Sequence, residues 1–326
     1  MGAPTISVIT VCMNREDQLS VAAAYVAAWP FHLEHVIIDW SSQSPLCRDK
    51  LPSDARISLH RVEGESAWNL GRSYNFAASI ARGDVLCKLD ADCWPAADSD
   101  PHLLLQQSPI WLGTGSGGSA GQFLIQRPWF EAVGGFHECM QGWGFDDKDL
   151  RARLDCVAEW AVADLPRGWV KVIPHSDLIR VSAPQGPLLP LARRQALASL
   201  RASRLHNRLV AAHHPWGAKR QRSRYHRLAA DDHVPRWQVD IGSVPVLSAD
   251  LSRSLAQQRR RLFWNVFLAI PDPAIAILPE ELLPEDDHGR WPVRWWHLLY
   301  WATLMPLLMA PAWLLSLLRG AGRWLR

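Results

Sequence analysis

The sequence predicts an α/β protein with a mixed, mainly parallel sheet flanked by helices. Two observations carry this. Over the first half, short β-branched apolar runs alternate with helical stretches across short connections, the pattern of strand–helix–strand units. The 326 residues are 48% hydrophobic and 21% charged, enough apolar material for a sizeable core.

The elements follow in order. "TISVITVCM" is a β-branched run and forms the first strand. "NREDQLSVAAAYVAAW" forms a helix, with Asn14 as its expected cap and acids in its first turn. "HVIIDWSS" and "RISLHRV" are the second and third strands. "WNLGRSYNFAASIARGD" is helical, with Gly83 as its expected stop. "DVLCKLDAD" is the fourth strand. A glycine-rich loop over 113–121 precedes a short strand, and "QGWGFDDKDLRARL" turns on glycines into a helix that starts with acids. "WVKVIPHSD" is a further strand, ending at His175. Beyond Pro184 the chain becomes basic and helical, and "LPEELLPEDD" is an exposed acidic loop.

The formal net charge is only +3, which gives no reason to expect a nucleic-acid partner. Six cysteines lie scattered with no CxxC pair. That argues against a zinc ribbon, and reduced thiols in a cytoplasmic protein are the simplest reading. The beginning lacks a basic segment followed by a long apolar run, so it is a strand and not a signal peptide.

One stretch departs from a water-soluble pattern. Residues Trp295 to Leu318 contain no Asp, Glu, Lys or Arg, a run longer than the roughly 20 residues that span a bilayer. Arg290 and Arg294 precede it, Arg319, Arg323 and Arg326 follow it, and tryptophans cluster at its ends, as interface anchors do. Pro306 and Pro311 would kink a spanning helix, so a re-entrant or in-plane segment is a further alternative. A buried helical hairpin is the alternative.

In doubly wound sheets, ligands bind beyond the carboxyl ends of the strands. That singles out Asn14 and Arg15, Asp39, and the pair Asp90 and Asp92 as one crevice built from three stretches. An Asp-x-Asp at a strand end suits a hard divalent cation bridging carboxylate and phosphate oxygens. Alone it is more often a turn cap. Likewise, an acid pair such as Asp146 and Asp147 is often no more than a favourable helix N-terminus.

"SVITVCMNRED", "VIIDWSS", "WNLGRSYNFAASIARGDVLCKLDAD" and "VGGFHECMQGWGFDDKDL" occur in this order. Together they resemble family 2 glycosyltransferases of the GT-A (Rossmann-like) fold, the last block resembling a galactosyltransferase module. The resemblance covers residues 5 to 182. It implies that Asp92 binds Mn²⁺ (or Mg²⁺) and that Asp90 serves the ribose or the metal's water shell. It implies that Asp39 meets the uracil and Arg15 the diphosphate or base. Arg72 and Asn75 would be nucleotide contacts, and Lys88 would balance the acids. Trp143 and Gly144 would lie on a donor-covering loop. Asp146 stands where the family has Glu and would contact the acceptor, Asp147 would be the catalytic base, and His175 would complete the metal site. An imidazole beside a carboxylate favours Mn²⁺ over Mg²⁺. Cys12 stands where many relatives have proline, so the first nucleotide-binding turn departs from the family pattern. Cys87 and Cys93 are expected to be buried thiols.

The expected organisation is a glycosyltransferase domain over 1–185, a basic helical extension over 186–290 and a membrane-associated segment over 291–326. The expected activity is inverting, metal-dependent transfer of Gal, GalNAc or another hexose from a UDP-sugar to a glycan or glycolipid hydroxyl, at the cytosolic face of a membrane. A sugar-nucleotide nucleotidyltransferase and a non-catalytic module with a decayed transferase fold are the alternatives. "VCMNRED" lacks the glycine-rich loop of the first, and retention of Asp90, Asp92, Asp147 and His175 argues against the second.

Overall fold

The computed structural model describes residues 2–115, 119–158, 162–174, 190–228, 233–269, 291 and 293–324. They fall into two compact units, Met1–His175 with Val210–Leu247 and Ser176–Leu209 with Ser248–Arg326.

In the first unit, β1 (Ile6–Cys12), β2 (Glu34–Trp40), β3 (Ile57–Glu63) and β4 (Val85–Lys88) pair in parallel in the order β3-β2-β1-β4. Every residue of β1 and β2 is buried. Ile9, Val11, Ile38 and Leu86 point into one core, and Val8, Val85 and Cys87 into another. Both faces of the sheet are covered, which is why these strands are mostly apolar on both sides, with Ser7, Thr10, Glu34, His35 and Asp39 as buried polar exceptions. Helices α1 (Glu16–Ala28) and α2 (Leu70–Ile80) connect the parallel strands. The expected mixed, mainly parallel sheet flanked by helices is borne out.

Beyond β4 the pairing turns antiparallel. The short β5 (Cys93–Pro95) leaves the main sheet. After α3 (Pro101–Leu105), β6 (Ile110–Leu112) and β7 (Phe123–Gln126) add to the edge, with Lys88 opposite Phe123. Helices α4 (Arg127–Ala132) and α5 (Asp146–Val157) follow, then β8 (Ala163–Asp164) beside β6 and β9 (Val170–Val172) paired with β5.

Three local expectations change. Arg15, not Asn14, is the residue before α1, and it makes no side-chain cap. Asn14 instead takes a left-handed φ of 58° and accepts a hydrogen bond from the Gln43 amide. Helix α2 stops at Ile80 and the chain is extended at Ala81, so Gly83 is not its stop. It is where the chain passes against β1: a Cβ at Gly83 would lie 2.6 Å from the Ser7 nitrogen. Finally, the basic stretch after 213 is not wholly helical. β10 (Tyr225–Arg227) and β11 (Arg236–Val239) join the main sheet, β11 parallel to β3. Trp237 packs on Phe76 with ring centroids 5.3 Å apart, which anchors this edge from a segment expected to be a helical extension.

The second unit is helical. Helix α6 (Pro190–His213) presents Ala198 and Ala202, four residues apart, to Phe263, Trp264 and Phe267 of α7 (Ala249–Leu268). Small residues on one helix leave room for the rings of the other. Ser248 caps α7 by accepting from the Leu251 amide. Helix α8 (Trp295–Trp324) begins with His297 stacked on Trp264 at 4.2 Å. Among the described residues, no helix is long and apolar enough to cross a membrane. The expected acidic loop "LPEELLPEDD" lies outside the described residues.

Gly71 shows how tightly α2 is held. A Cβ there would meet the His137 carbonyl oxygen at 2.6 Å. Alanine at a helical glycine usually stabilises. Gly71→Ala is expected to destabilise by about 1–3 kcal/mol instead, measured as a lower denaturant midpoint with unchanged slope.

Candidate functional site

The strand order reverses between β1 and β4, and the candidate site lies at the carboxyl ends of these two strands. The turn after β1 is tied to the turn after β2. The Asn14 amide donates to Ser42 Oγ at 2.9 Å, and Asn14 Oδ1 accepts from the Gln43 amide at 2.8 Å. Asp39, 1% exposed, accepts from the amides of Ser42 at 3.0 Å and Leu46 at 3.1 Å, and it pairs with Arg61. Its carboxylate therefore folds the 41–46 loop.

The β4 end is built around a buried ammonium. Lys88, 1% exposed, donates to Asp90 Oδ1 at 2.7 Å and to the Gly121 carbonyl at 2.7 Å, and it sits 4.4 Å from the Tyr74 ring centroid. The expected charge partnership between Lys88 and the acids is seen with Asp90. Tyr74 Oη also donates to Asp90 Oδ1, at 3.1 Å. Gln122 clamps the same residue from the other side: its Oε1 accepts from the Asp90 amide at 2.9 Å and its Nε2 donates to Asp90 Oδ2 at 2.8 Å. Burial of the Asp90 carboxyl works to raise its pKa, but the Lys88 charge and these hydrogen bonds outweigh it and hold the pKa below the ordinary value.

Asp92 is placed differently. Its side chain is 6% exposed, and its Oδ2 lies 3.8 Å from Arg15 Nη1, so residues after β1 and after β4 face each other. Its Oδ1 accepts a weak hydrogen bond from the Cys93 thiol. Its carbonyl accepts from the Ile173 amide at 2.9 Å, which brings the chain after β9 to the Asp-x-Asp turn. His175 itself lies outside the described residues. Cys87 and Cys93 are buried free thiols as expected; burial pushes Cys87 up to about 12 and raises Cys93 further.

Two other expected ligand contacts have partners inside the protein. Asn75 donates both amide hydrogens, to the Phe136 carbonyl at 2.9 Å and to Glu138 Oε1 at 2.8 Å, and its Oδ1 accepts from the Phe136 amide. No amide hydrogen is left for a nucleotide, so Asn75 is a brace between α2 and the "GGFHE" turn. Arg72 pairs with Glu65 and lies over Trp40, 5.6 Å from its ring centroid.

The "GWGFDD" segment has an unusual backbone. Gly142, Gly144 and Phe145 take φ of 69°, 96° and 78°. Glycine adopts these angles freely. Phe145 does so against the steric preference of an L-residue, which concentrates strain where α5 begins. Trp143 is half-buried, Asp147 is half-buried, and Asp146 is 7% exposed. Burial, with added repulsion from Asp147 and Asp149, pushes the Asp146 carboxyl up to about 7, against backbone hydrogen bonds that lower it. Among the described residues, no group of three or more His, Cys, Asp or Glu is placed to hold a metal ion.

Gln122, Tyr74 and Glu138 were not singled out from sequence. Gln122 is 32 positions from Asp90, and only the antiparallel β4–β7 register brings them together. Glu138 accepts from Asn75 and from Ser223 Oγ at 2.6 Å, a link to a distant segment with no local pattern to reveal it.

Residues 7–107 match the family model described as glycosyl transferase family 2, and residues 114–158 match the one described as N-terminal domain of galactosyltransferase. These stretches contain all four blocks from which the resemblance was drawn, and they bear it out. Together they support glycosyl transfer as the class of activity. No curated protein sequence matches the chain. Among solved structures, the chain is similar to the catalytic domain of Drosophila β1,4-galactosyltransferase 7 in complex with xylobiose, at 13% identity and TM-score 0.44, covering 77% of this chain and 98% of that one. It is also similar to a mannosyltransferase from Pyrobaculum calidifontis in complex with GDP-Man and Mn²⁺, at 14% identity and TM-score 0.46, covering 96% and 87%. The functional reading rests on the family matches and the site geometry, not on these distant likenesses.

Two predictions follow from the charges. An Asp90 carboxyl held below its ordinary pKa stabilises the fold above about pH 4, and this stability is lost as pH falls through the folded value. Lys88→Met should lower stability at pH 7 by on the order of 2 kcal/mol and flatten the acid loss, as read from melts across pH 3–7. Asp146 has the opposite sign: its folded pKa is raised, so stability falls as pH rises from about 4 to about 7. Asp146→Asn should therefore gain stability over wild type across that window. An equal difference at pH 4.5 and pH 8 would contradict the burial of an ionisable group there.

Proposed function

We propose that the chain is an inverting, metal-dependent glycosyltransferase that moves a hexose from a UDP-sugar to a glycan or glycolipid hydroxyl. It works at the cytosolic face of a membrane. The observation that carries this is the approach of Arg15 and Asp92, 3.8 Å apart, at the point where the parallel strand order reverses. A cation and a carboxylate facing each other across that crevice suit a diphosphate and its counter-ion.

The donor set is tested by its chemistry. Asp92 offers a carboxylate, and Ile173, hydrogen-bonded to the Asp92 carbonyl, lies two residues before His175. A carboxylate with an imidazole fits Mn²⁺, and Asp92 and His175 are the residues that would hold it. When bound, the metal ion neutralises the negative charge that develops on the departing diphosphate.

The chain's own residues divide the remaining work. Arg15 meets the diphosphate. Lys88, Tyr74 and Gln122 fix Asp90 on the nucleotide side. Asp147, at the start of α5, accepts the proton of the acceptor hydroxyl. The hydroxyl oxygen then forms a bond to the anomeric carbon as the bond to the diphosphate oxygen breaks, and UDP leaves. No enzyme nucleophile is needed, so one displacement inverts the anomeric centre. Asp146, buried beside Asp147, contacts the acceptor and keeps the entrance to α5 dry. The galactosyltransferase match over 114–158 favours Gal or GalNAc as the sugar.

Asp147→Ala is expected to reduce transfer by about 1,000-fold, within the usual contribution of about 10²–10⁴ from a general base, while UDP binding by calorimetry stays within a factor of about three. Wild-type turnover in that variant would remove Asp147 from the chemistry. Excess EDTA is expected to stop transfer and Mn²⁺ to restore it; full activity in the chelator would rule out the metal role of Asp92 and His175.

A further inference from the structure

Helix α6 contains no Asp or Glu. Arg193, Arg201, Arg204 and Arg208 are all exposed on it, as are Leu197 and Leu205, each 37% exposed. At 100° per residue these six side chains lie within an arc of about 120°. The opposite side buries Ala198, Ala202 and Asn207. This is a cationic face interleaved with leucine, backed by a packed core. An ordinary solvated helix surface mixes acids with bases and has no need of the two leucines.

Helix α8 carries a second, independent signal in the same unit. Its start is pinned by His297, stacked on Trp264 and edge-on to Phe267. Beyond that, Trp295, Leu299, Leu304, Leu307 and Leu314 are exposed by 53–74%. The exposed positions are not confined to one narrow stripe, and no charged residue falls between Trp295 and Leu318. Arg294 stands before this run and Arg319 and Arg323 after it. Among the described side chains of α8, large apolar groups exposed on several sides are at home only where water is excluded. Arginines at both ends match a phosphate-bearing boundary.

We propose that the helical unit is an in-plane anchor for an anionic lipid bilayer: α8 enters the acyl–headgroup boundary and the arginine face of α6 engages lipid phosphates. The occupant is set by charge complementarity. A cationic face with leucines between the charges suits a surface that is anionic outside and apolar just beneath. A neutral protein partner would match α8 alone and leave the arginines unexplained. Pro306 and Pro311 lie inside α8, each removing one backbone N–H from its ladder. The inference builds on the membrane placement proposed above and is independent of the transfer chemistry.

The test is co-sedimentation of the full chain with vesicles of phosphatidylcholine alone and of phosphatidylcholine with phosphatidylglycerol. Wild type should bind the anionic vesicles at least about tenfold more tightly, and the difference should shrink in high salt. Arg201→Glu with Arg204→Glu should reduce binding to anionic vesicles on the order of tenfold or more. Leu307→Gln with Leu314→Gln should weaken binding to both kinds of vesicle. All four positions are exposed, so folding is expected to persist, checked by circular dichroism. Failure to bind either vesicle, or binding indifferent to the charge reversal, would overturn the proposal. So would a dimer by light scattering that the leucine variant splits while vesicle binding is unchanged, because α8 would then face a second copy of the chain. UDP-sugar hydrolysis in solution without vesicles should be the same in both variants. Its absence from the wild type would remove the transferase reading and leave the lipid result standing.

Discussion

The site depends on one ion pair whose cation is buried. Lys88 lies on a parallel strand with both faces covered, where an unpaired ammonium would be strongly destabilising. Its donors reach Asp90 and the Gly121 carbonyl, and its charge rests on the Tyr74 ring. Each partner belongs to a different element: the turn after β4, the glycine-rich loop and helix α2. Satisfying one charge therefore fixes three pieces of backbone. Gln122 completes the arrangement by holding both the amide and the carboxylate of Asp90.

This constraint gives the two aspartates unequal roles. Asp90 is oriented by Lys88, Tyr74 and Gln122 while its side chain stays 41% exposed. Asp92 is set one step further along, opposite Arg15, where the β5–β9 ribbon returns the chain toward it. A like contrast separates the nucleotide side from α5. The Lys88 charge keeps Asp90 ionised, whereas burial pushes Asp146 up to about 7. Environments that drive carboxyl groups apart are how one site holds ionised and proton-bearing acids at the same pH. The left-handed Phe145 and the buried Asp146 both cost stability at the entrance to α5. Such local costs are expected where positioning matters more than packing.

Much of the parallel half was legible in the sequence. Apolar-rich stretches such as "ISVITVC" and "VII" within "EHVIIDW" follow from a sheet covered on both faces, and the polar residues at their ends marked the crevice. What was not legible is what pairing over long range decides. The protein partners of Asp39 and Asn75 are a case of this, since neither a strand end nor a family block announces them. The structure gives their acceptors and donors to the 41–46 loop and to the 136–138 turn. The strands over 225–227 and 236–239 were hidden in a basic stretch, since their place on the β3 edge is set by Trp237 packing on Phe76, 161 positions away in sequence by their numbering. Gln122 had no local signature at all.

The central claim is that the β1/β4 crevice holds a metal ion together with a nucleoside diphosphate. The direct measurement is calorimetric titration of Mn²⁺ into the chain, with and without saturating UDP, for wild type and for Asp92→Asn. The account predicts one Mn²⁺ per chain, bound more tightly when UDP is present, and loss of that UDP-dependent gain in Asp92→Asn. Mn²⁺ binding that is indifferent to UDP, or equal in the two proteins, would contradict it.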